Sequence, residues 1–252
     1  MPKPQYQKEL SLQSPILLDA AYKKSKVEKM LAVLRDAGAV KQAPRGVAVD
    51  IGCSGGFFAE ALSPYFHHVL GMDIDTHALR LAADGSRDHH VVYLAGDSMS
   101  LPLKDRSVDL VICNHVYEHV PDPERLFNEI YRVLRDDGVC YLGAASRLIP
   151  IEPHYHLPFL SWVPKPLAHV YMRLAGRGDR YYENLRTYWG IRKLLPRFAM
   201  RDYTLAILAD PDRFQARDLL PEGGILARVP LSVWKALYWF LPTYILILKK
   251  LV

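Results

Sequence analysis

The chain is poor in cysteine: Cys53, Cys113 and Cys140 are the only three in 252 residues. They have no metal-ligand spacing and no secretory context. They read as buried free thiols in a reducing compartment, not as a disulfide framework or a zinc site, and no metal is expected. The opening residues MPKPQYQKEL hold no long apolar run, so no secretory signal and a cytoplasmic location are expected. The uncharged stretch 236–248 is 13 residues long and contains Pro242, short of the roughly 20 needed to span a bilayer. It fits a core helix and strand, or an interfacial helix dipping Trp234, Trp239 and Phe240 into lipid. Repeats and low-complexity tracts are missing. Acids are scarce in the second part of the chain. Residues 151–252 hold 15 Lys and Arg against 8 Asp and Glu, whereas residues 1–150 hold 17 against 19. All four tryptophans (Trp162, Trp189, Trp234, Trp239) also lie in that basic part. Such a segment suits an anionic partner, a membrane surface among them; a cap with a solvated basic face fits equally.

Residues 47–56 read VAVDIGCSGG. A short apolar run ends in Asp50, a glycine-rich turn follows, and a helical pattern begins at Phe57. Strand, tight turn and helix start make a place where backbone approaches a small ligand closely. Asp50 stands just ahead of Gly52, where a pyrophosphate binder avoids negative charge. The ligand therefore carries positive charge on its near side. Positions 52–57 read GCSGGF, which breaks the G-x-G-x-x-G pattern of nicotinamide-dependent oxidoreductases at its second and third glycines.

Three more apolar runs end in polar residues. HVLGMD closes on Asp73, 21 residues after Gly52, roughly where the second strand of a βαβ unit delivers a ribose-binding carboxylate. VVYLAGDS closes on Asp97 and Ser98, and residues 108–113 are followed by Asn114. In open α/β sheets, ligands sit outside the carboxyl ends of the strands. The stretches DIGCSGG (50–56), GMDID (71–75), GDSMSLPLKDRSVDLVICNHVYEHVPDP (96–123) and LFNEIYRVLRDDGVCYLGAAS (126–146) together resemble the class I S-adenosylmethionine-dependent methyltransferases, especially the ubiquinone and menaquinone branch. The resemblance covers about residues 45–146. One departure is Ser54, where the family has its second loop glycine.

The resemblance implies a Rossmann-like, seven-stranded, mostly parallel sheet of order 3-2-1-4-5-7-6, with helices on both faces and a helical cap insertion. We expect one domain over 1–252: N-terminal helices in 1–45, a cofactor-binding core in 46–146, a cap and helix in 147–200, and the last two strands with an amphipathic insertion in 201–252. Ile16, Leu17, Ala20, Ala21, Val27, Met30, Leu31 and Leu34 follow helical spacing, and Gly38 ends the second helix. Asp122 and Pro123 predict a helix start, and Asp136-Asp137-Gly138 a turn. Helices are expected over 167–174 and 183–195, and strands over 201–208 and 243–248.

The implied cofactor is S-adenosylmethionine, whose sulfonium, ammonium and single carboxylate suit Asp50. Backbone of the loop holding Gly52, Cys53, Ser54 and Gly56 would face the methionine carboxylate. Asp50 would hold the ammonium and Asp73 the ribose hydroxyls, with Ile74 against adenine. Asp97, with Ser98 beside it, would take the adenine amino group, and Asn114 and His115 would line the methionine arm. N-terminal helices cover the cofactor in the family, which brings Tyr22 and Lys26 into question. His115-Val-Tyr-Glu118-His119 matches H-x-x-E-H, but it follows a strand end and lacks a third ligand, so a zinc protease is rejected. Relatives with E-x-x-E-H here bind a metal; His115 replaces the first glutamate. Candidate general bases are His119, His154 and His156, because imidazole titrates near neutrality. The expected acceptor is a small molecule or a lipid- or glycan-linked intermediate, methylated at oxygen, with peripheral contact to an anionic membrane. A nucleic-acid acceptor is not expected, because neither the Asn-Pro-Pro-Tyr signature nor a base-methylating cysteine motif is present. The alternative is a catalytically silent module that keeps the fold as an interaction or membrane-scaffold surface.

Overall fold

The computed structural model describes residues 8–41, 43–86 and 88–251. Residues 1–7 and the side chain of Leu17 lie outside the described set. The expected N-terminal helical region is divided. Helix α1 (Leu10–Gln13) and a short 3-10 turn (Pro15–Leu18) lead into α2 (Ala20–Asp36). Asp19 caps α2 by accepting the backbone N–H groups of Ala21 and Tyr22, and Gly38 follows its end at φ +69°.

The core alternates as expected: β1 (Val47–Ile51), α3 (Phe57–Leu62), β2 (His68–Asp73), α4 (Thr76–Gly85), β3 (Val91–Ala95), β4 (Val108–Asn114), α5 (Pro123–Val133) and β5 (Leu134–Ala145). Asp75 and Asp122 cap α4 and α5. The turn expected at Asp136-Asp137-Gly138 is instead an irregularity within β5. Val108 pairs with Leu134 and Leu110 with Val139, so β5 carries extra residues between two paired positions.

The cap contributes α6 (Lys165–Leu174). The helix expected over 183–195 is shorter, α7 (Tyr188–Leu194). Residues 183–187 stay extended because they tie to the core: Arg186 N–H donates to the Tyr117 hydroxyl, Arg186 forms a bridge with Ser146, and Thr187 Oγ1 caps α7. The strand expected over 201–208 also needs correction. β6 is Phe198–Asp202, and Thr204–Ala209 forms helix α8. Asp202 ends the strand by accepting the Thr204 N–H, and the buried pair Thr204 and Ile207 falls at helical spacing. Helix α9 (Leu231–Ala236) precedes β7 (Thr243–Lys250).

The sheet order is β3-β2-β1-β4-β5-β7-β6, with β7 antiparallel to both neighbours. One apolar layer lies on each sheet face, one built with α2 and α3, the other with α5 and α7. Chain direction reverses in strand order between β1 and β4, which is where such a sheet opens a crevice for a ligand. Because Ala145 pairs with Thr243, the start of β7 and the end of β5 share the carboxyl edge of the parallel strands.

Candidate functional site

The loop after β1 is held in left-handed conformations. Gly52 lies at φ +71°, and a Cβ there would come within 2.7 Å of Val116 Cγ2, so only glycine fits. Its N–H and that of Cys53 both donate to Met72 O. Ser54, in place of the family glycine, adopts φ +47°. Its N–H donates to Asp73 Oδ2 at 2.7 Å, which offsets part of the ~1–2 kcal/mol cost of a left-handed residue with a side chain. Gly56, at φ +77°, starts α3, and a Cβ there would overlap the Tyr93 hydroxyl. The Cys53 thiol is buried, and burial drives its pKa well up, so it is a backbone position and not a nucleophile.

Asp50 lies within β1 and is 2 % exposed. Its Oδ2 is buried without a hydrogen-bond partner. Burial, then the charge of Asp73, push its carboxyl up to about 8, against the pull of Lys23 and the Ala59 N–H. Lys23, on α2, is in turn brought down to about 8 by burial and Lys26. The cation of the N-terminal helices that reaches these two aspartates is thus Lys23. Lys26 instead packs over the Tyr22 ring.

Asp73 ends β2 with Oδ2 on the Ser54 N–H and Oδ1 on the Asp75 N–H. Burial raises its pKa despite these donors. A cavity of about 560 Å³ opens beside it, lined by Ile74, Thr76 and Arg80, by Gly96 and Asp97 after β3, and by α1 through Leu12. Asp97 Oδ1 accepts the Met99 N–H, forming a turn around Ser98. The Ser11 N–H donates to Asp75 Oδ2 at 2.8 Å, which fastens α1 over this end of the sheet.

At β4 the arrangement changes. The Asn114 side chain lies over β5, where a Cβ on Gly143 would overlap Asn114 Oδ1. Gly143 is therefore a site-shaping residue that sequence reading missed. Its only sequence signal is a lone glycine inside a strand, which marks close approach of another group. His115, at φ +57°, donates its N–H to Gly143 O, and its Nδ1 lies 3.1 Å from Glu118 Oε1. Glu118 is fully buried, and its Oε2 has no partner. Burial works to raise its pKa, but the His115 hydrogen bond and the His115 and His119 charges outweigh it and lower the pKa. Burial lowers His119 to about 4.

The cap meets this turn. The His154 ring stands edge-on to His119 with centroids 4.9 Å apart. His154 Nδ1 lies 2.6 Å from Oε1 of the fully buried Glu152. Glu152 and Glu183, also buried, are further residues that sequence reading missed. They lie 34 and 65 residues beyond Glu118, and only the fold brings the three together. His156 is exposed, at φ +55°, and its backbone N–H donates to Glu152 O. The structure thus brings His119 and His154 together and gives the His156 ring no part in the pair. No group of three or more His, Cys, Asp or Glu among the described residues is arranged to hold a metal ion.

Glycine loop, strand-end acids and strand order define a class I methyltransferase fold. The protein-family comparison agrees: residues 49–142 match the methyltransferase domain model. An uncharacterized methyltransferase of Mycobacteroides abscessus is 37 % identical over 109 residues, 42 % of each chain. A ubiquinone biosynthesis O-methyltransferase of Cupriavidus pinatubonensis is 34 % identical over 102 residues, 39 % of this chain and 41 % of that one. The chain spans about two fifths of the length of these curated relatives. Among solved structures, the PH0226 protein of Pyrococcus horikoshii superposes with a TM-score of 0.62 at 18 % identity, covering 96 % of this chain and 98 % of that one. An S-adenosylmethionine-dependent methyltransferase of Mesorhizobium loti gives 0.58 at 19 % identity, covering 88 % and 98 %. Residues 49–142 accordingly match a methyltransferase domain within a chain that has the class I methyltransferase fold, and S-adenosylmethionine, the cofactor expected for that class, is the group to set against the site. The residues present fit that group: a buried carboxyl oxygen lacking a partner, a loop whose Gly52 and Gly56 admit no Cβ, and Asp97 in the lining of the cavity.

Proposed function

We propose that the chain transfers a methyl group from S-adenosylmethionine to a hydroxyl of a small-molecule or a lipid- or glycan-linked acceptor. The observation that carries this reading is Asp50, a buried carboxyl kept neutral by its surroundings until a cation comes beside it. S-adenosylmethionine, when bound, supplies a methyl carbon activated by the positive charge on its sulfur, and the bonding electrons stay with sulfur on transfer. The protein's own work is to hold and orient. Asp50 would take the ammonium, and the loop from Gly52 to Gly56 would border the carboxylate, although the N–H groups of Gly52, Cys53, Ser54 and Gly56 already donate to Met72 O, Asp73 and Cys53 O. Asp73 would accept the ribose hydroxyls. Ile74 would pack on adenine, Asp97 with Ser98 would take its amino group, and Asn114 and His115 would border the methionine arm. With the glycine loop on β1 and the adenosine cavity at β2 and β3, the acceptor belongs over β4 and β5, under the cap.

The O-methyltransferase among the relatives supports oxygen as the target. Exposed aromatics support an acceptor drawn from an anionic membrane surface. Phe159 and Trp162 pack at 4.9 Å, Trp162 meets Phe240 at 6.3 Å, and Trp189 stacks on Trp239 at 4.4 Å. These rings are exposed, whereas Trp234, also expected at the lipid, packs against the core. Trp239 and Phe240 immediately precede the carboxyl edge, within the basic part of the chain. Each Lys or Arg near an anionic leaflet adds about 1 kcal/mol. Among the described residues no helix is long and apolar enough to cross a membrane, so contact would be peripheral.

Isothermal titration with S-adenosylmethionine and S-adenosylhomocysteine tests the cofactor assignment. Micromolar binding that Asp73→Ala weakens about 100-fold, the cost of two charge-assisted hydrogen bonds, supports it; no binding of either ligand refutes it. Flotation with phosphatidylglycerol–phosphatidylcholine vesicles tests the membrane reading, which fails if Trp162→Ala/Trp239→Ala floats as well as the wild type.

A further inference from the structure

Glu152 is buried, and its carboxylate is held by His154 and Tyr155, the two residues after its neighbour in the cap. Oε2 accepts the N–H groups of His154 and Tyr155, both at 2.8 Å, and Oε1 faces His154 Nδ1 at 2.6 Å. A carboxylate fixed by two backbone donors cannot swing away, so it sets the orientation of the imidazole and favours the proton on Nδ1. That leaves the Nε2 lone pair free to accept a proton. The ring is partly exposed, while the carboxylate behind it is fully covered. It lies edge-on to His119, which belongs to the turn that continues from β4.

We propose that His154 is the general base for the acceptor hydroxyl and that Glu152 is its positioning residue. The inference rests on the methyl-transfer reading above. The hydroxyl proton passes to Nε2 of His154, whose Nδ1–H stays on Glu152. The oxygen keeps its electron pair, forms the new bond to the methyl carbon, and the imidazolium later loses its proton to water. His119 is unsuited to the task because burial makes it a weak base at neutral pH. His156 is exposed, and it meets Glu152 through its backbone N–H. His115 forms a longer pair with Glu118, but through Val116 its turn abuts Gly52, on the cofactor side.

The groups facing His154 also specify the reacting end of the acceptor. Glu118 and His119 come from the turn after β4, Glu152 from the cap loop, and Glu183 from the extended segment before α7. Burial favours the neutral imidazole, but the hydrogen bond and charge of Glu152, then the charges of Glu183 and Glu118, raise its pKa overall. Three carboxyl groups around one base repel an anionic acceptor centre and suit a neutral hydroxyl. The Glu183 carboxyl is itself raised by burial, with Oε2 unpartnered.

The test is histidine-labelled NMR of the full chain, with His154 assigned from the signal lost in His154→Gln. Expected in the ligand-free protein are an Nδ1–H tautomer and a titration above that of an ordinary histidine. Glu152→Gln should lower the titration, because burial is then opposed only by the charges of Glu183 and Glu118. The sulfonium charge gives a second readout, and it does not need Glu152→Gln to fold. His154 should titrate lower in the S-adenosylmethionine complex than in the uncharged S-adenosylhomocysteine complex. An Nε2–H tautomer, or equal titration in the two complexes, overturns the proposal. Failure to bind either cofactor would instead refute the methyl-transfer reading, and the tautomer would still report on the Glu152–His154 pair.

Discussion

Cofactor binding should release a proton from Asp50. Burial and the Asp73 charge hold this carboxyl at about 8, against about 3.9 for a free aspartate. At pH 7 it is neutral in about nine molecules in ten, and an ammonium placed beside it favours ionisation. Binding at pH 7 should then release most of a proton, and affinity should rise several-fold from pH 6 to pH 7. The rise should flatten near pH 8, where Asp50 is already half ionised and an α-amino group itself begins to lose its proton. Titration calorimetry in phosphate and in Tris, which differ in ionisation enthalpy, counts the proton directly. Asp50→Asn should abolish the difference between buffers. Lys23, also brought to about 8, is controlled for by Lys23→Met, which should keep most of the released proton. Stability carries the same sign. The folded-state pKa is raised, so its contribution is complete below about pH 4 and is lost as pH rises through about 8. The loss is at most about 4 kcal/mol at pH 7. Ligand-free Asp50→Asn should accordingly melt higher than the wild type at pH 8 and no higher at pH 4. A buffer-independent binding enthalpy at pH 7 would refute the assignment of Asp50 as the ammonium partner.

Gly52→Ala should abolish cofactor binding in calorimetry while leaving a folded circular dichroism spectrum, because the added methyl meets Val116 in a left-handed turn. Tyr117→Phe should cost about 2–4 kcal/mol in urea unfolding. The buried Tyr117 hydroxyl donates to Ala145 O at 2.6 Å and accepts the Arg186 N–H at 3.0 Å, so its removal orphans two backbone groups and should speed proteolysis of the cap. Gly143→Ala should displace the Asn114 side chain and His115 with it, weakening cofactor binding more than it lowers the melting temperature.

The first five strands were legible because each is a short apolar run closed by a polar residue, and the antiparallel place of β7 followed from the family resemblance. Legibility failed where a residue's role is set by a distant partner. Tyr203–Ala206 reads as alternating apolar positions, yet Asp202 accepts the Thr204 N–H and the Tyr203 hydroxyl reaches Asp36 on α2. That anchor turns the chain into a helix two residues after the strand. The Asp136-Asp137-Gly138 segment carries a turn signal but has room to remain in β5, since β4 accommodates it with a shifted register. At the site, Asp50, Asp73 and Asp97 could be picked out because strand ends fall at regular intervals. Glu152 and Glu183 could not, because an irregular cap brings them to His154 and nothing in their neighbours' spacing marks them.

Asp50 and Glu118 show how one sheet edge holds two carboxyl groups in opposite states. Both are buried, on β1 and just after β4, and each has one oxygen without a partner. Burial alone would leave both neutral. Glu118 has His115 at 3.1 Å and the nearby His119 charge, and its pKa falls. For Asp50, burial and the like charge of Asp73 outweigh Lys23 and the Ala59 N–H, and its pKa rises. The first carboxylate already has a hydrogen-bond partner in the protein. The second has an oxygen without one. A cationic cofactor can therefore do for Asp50 what His115 does for Glu118. This explains why the acid that looks least suited to a nucleotide-binding loop stands beside it. Replacing Asp50 with Asn removes the need for that cation, so it should stabilise the empty protein and weaken the complex, a pairing of effects that a merely structural aspartate would not give.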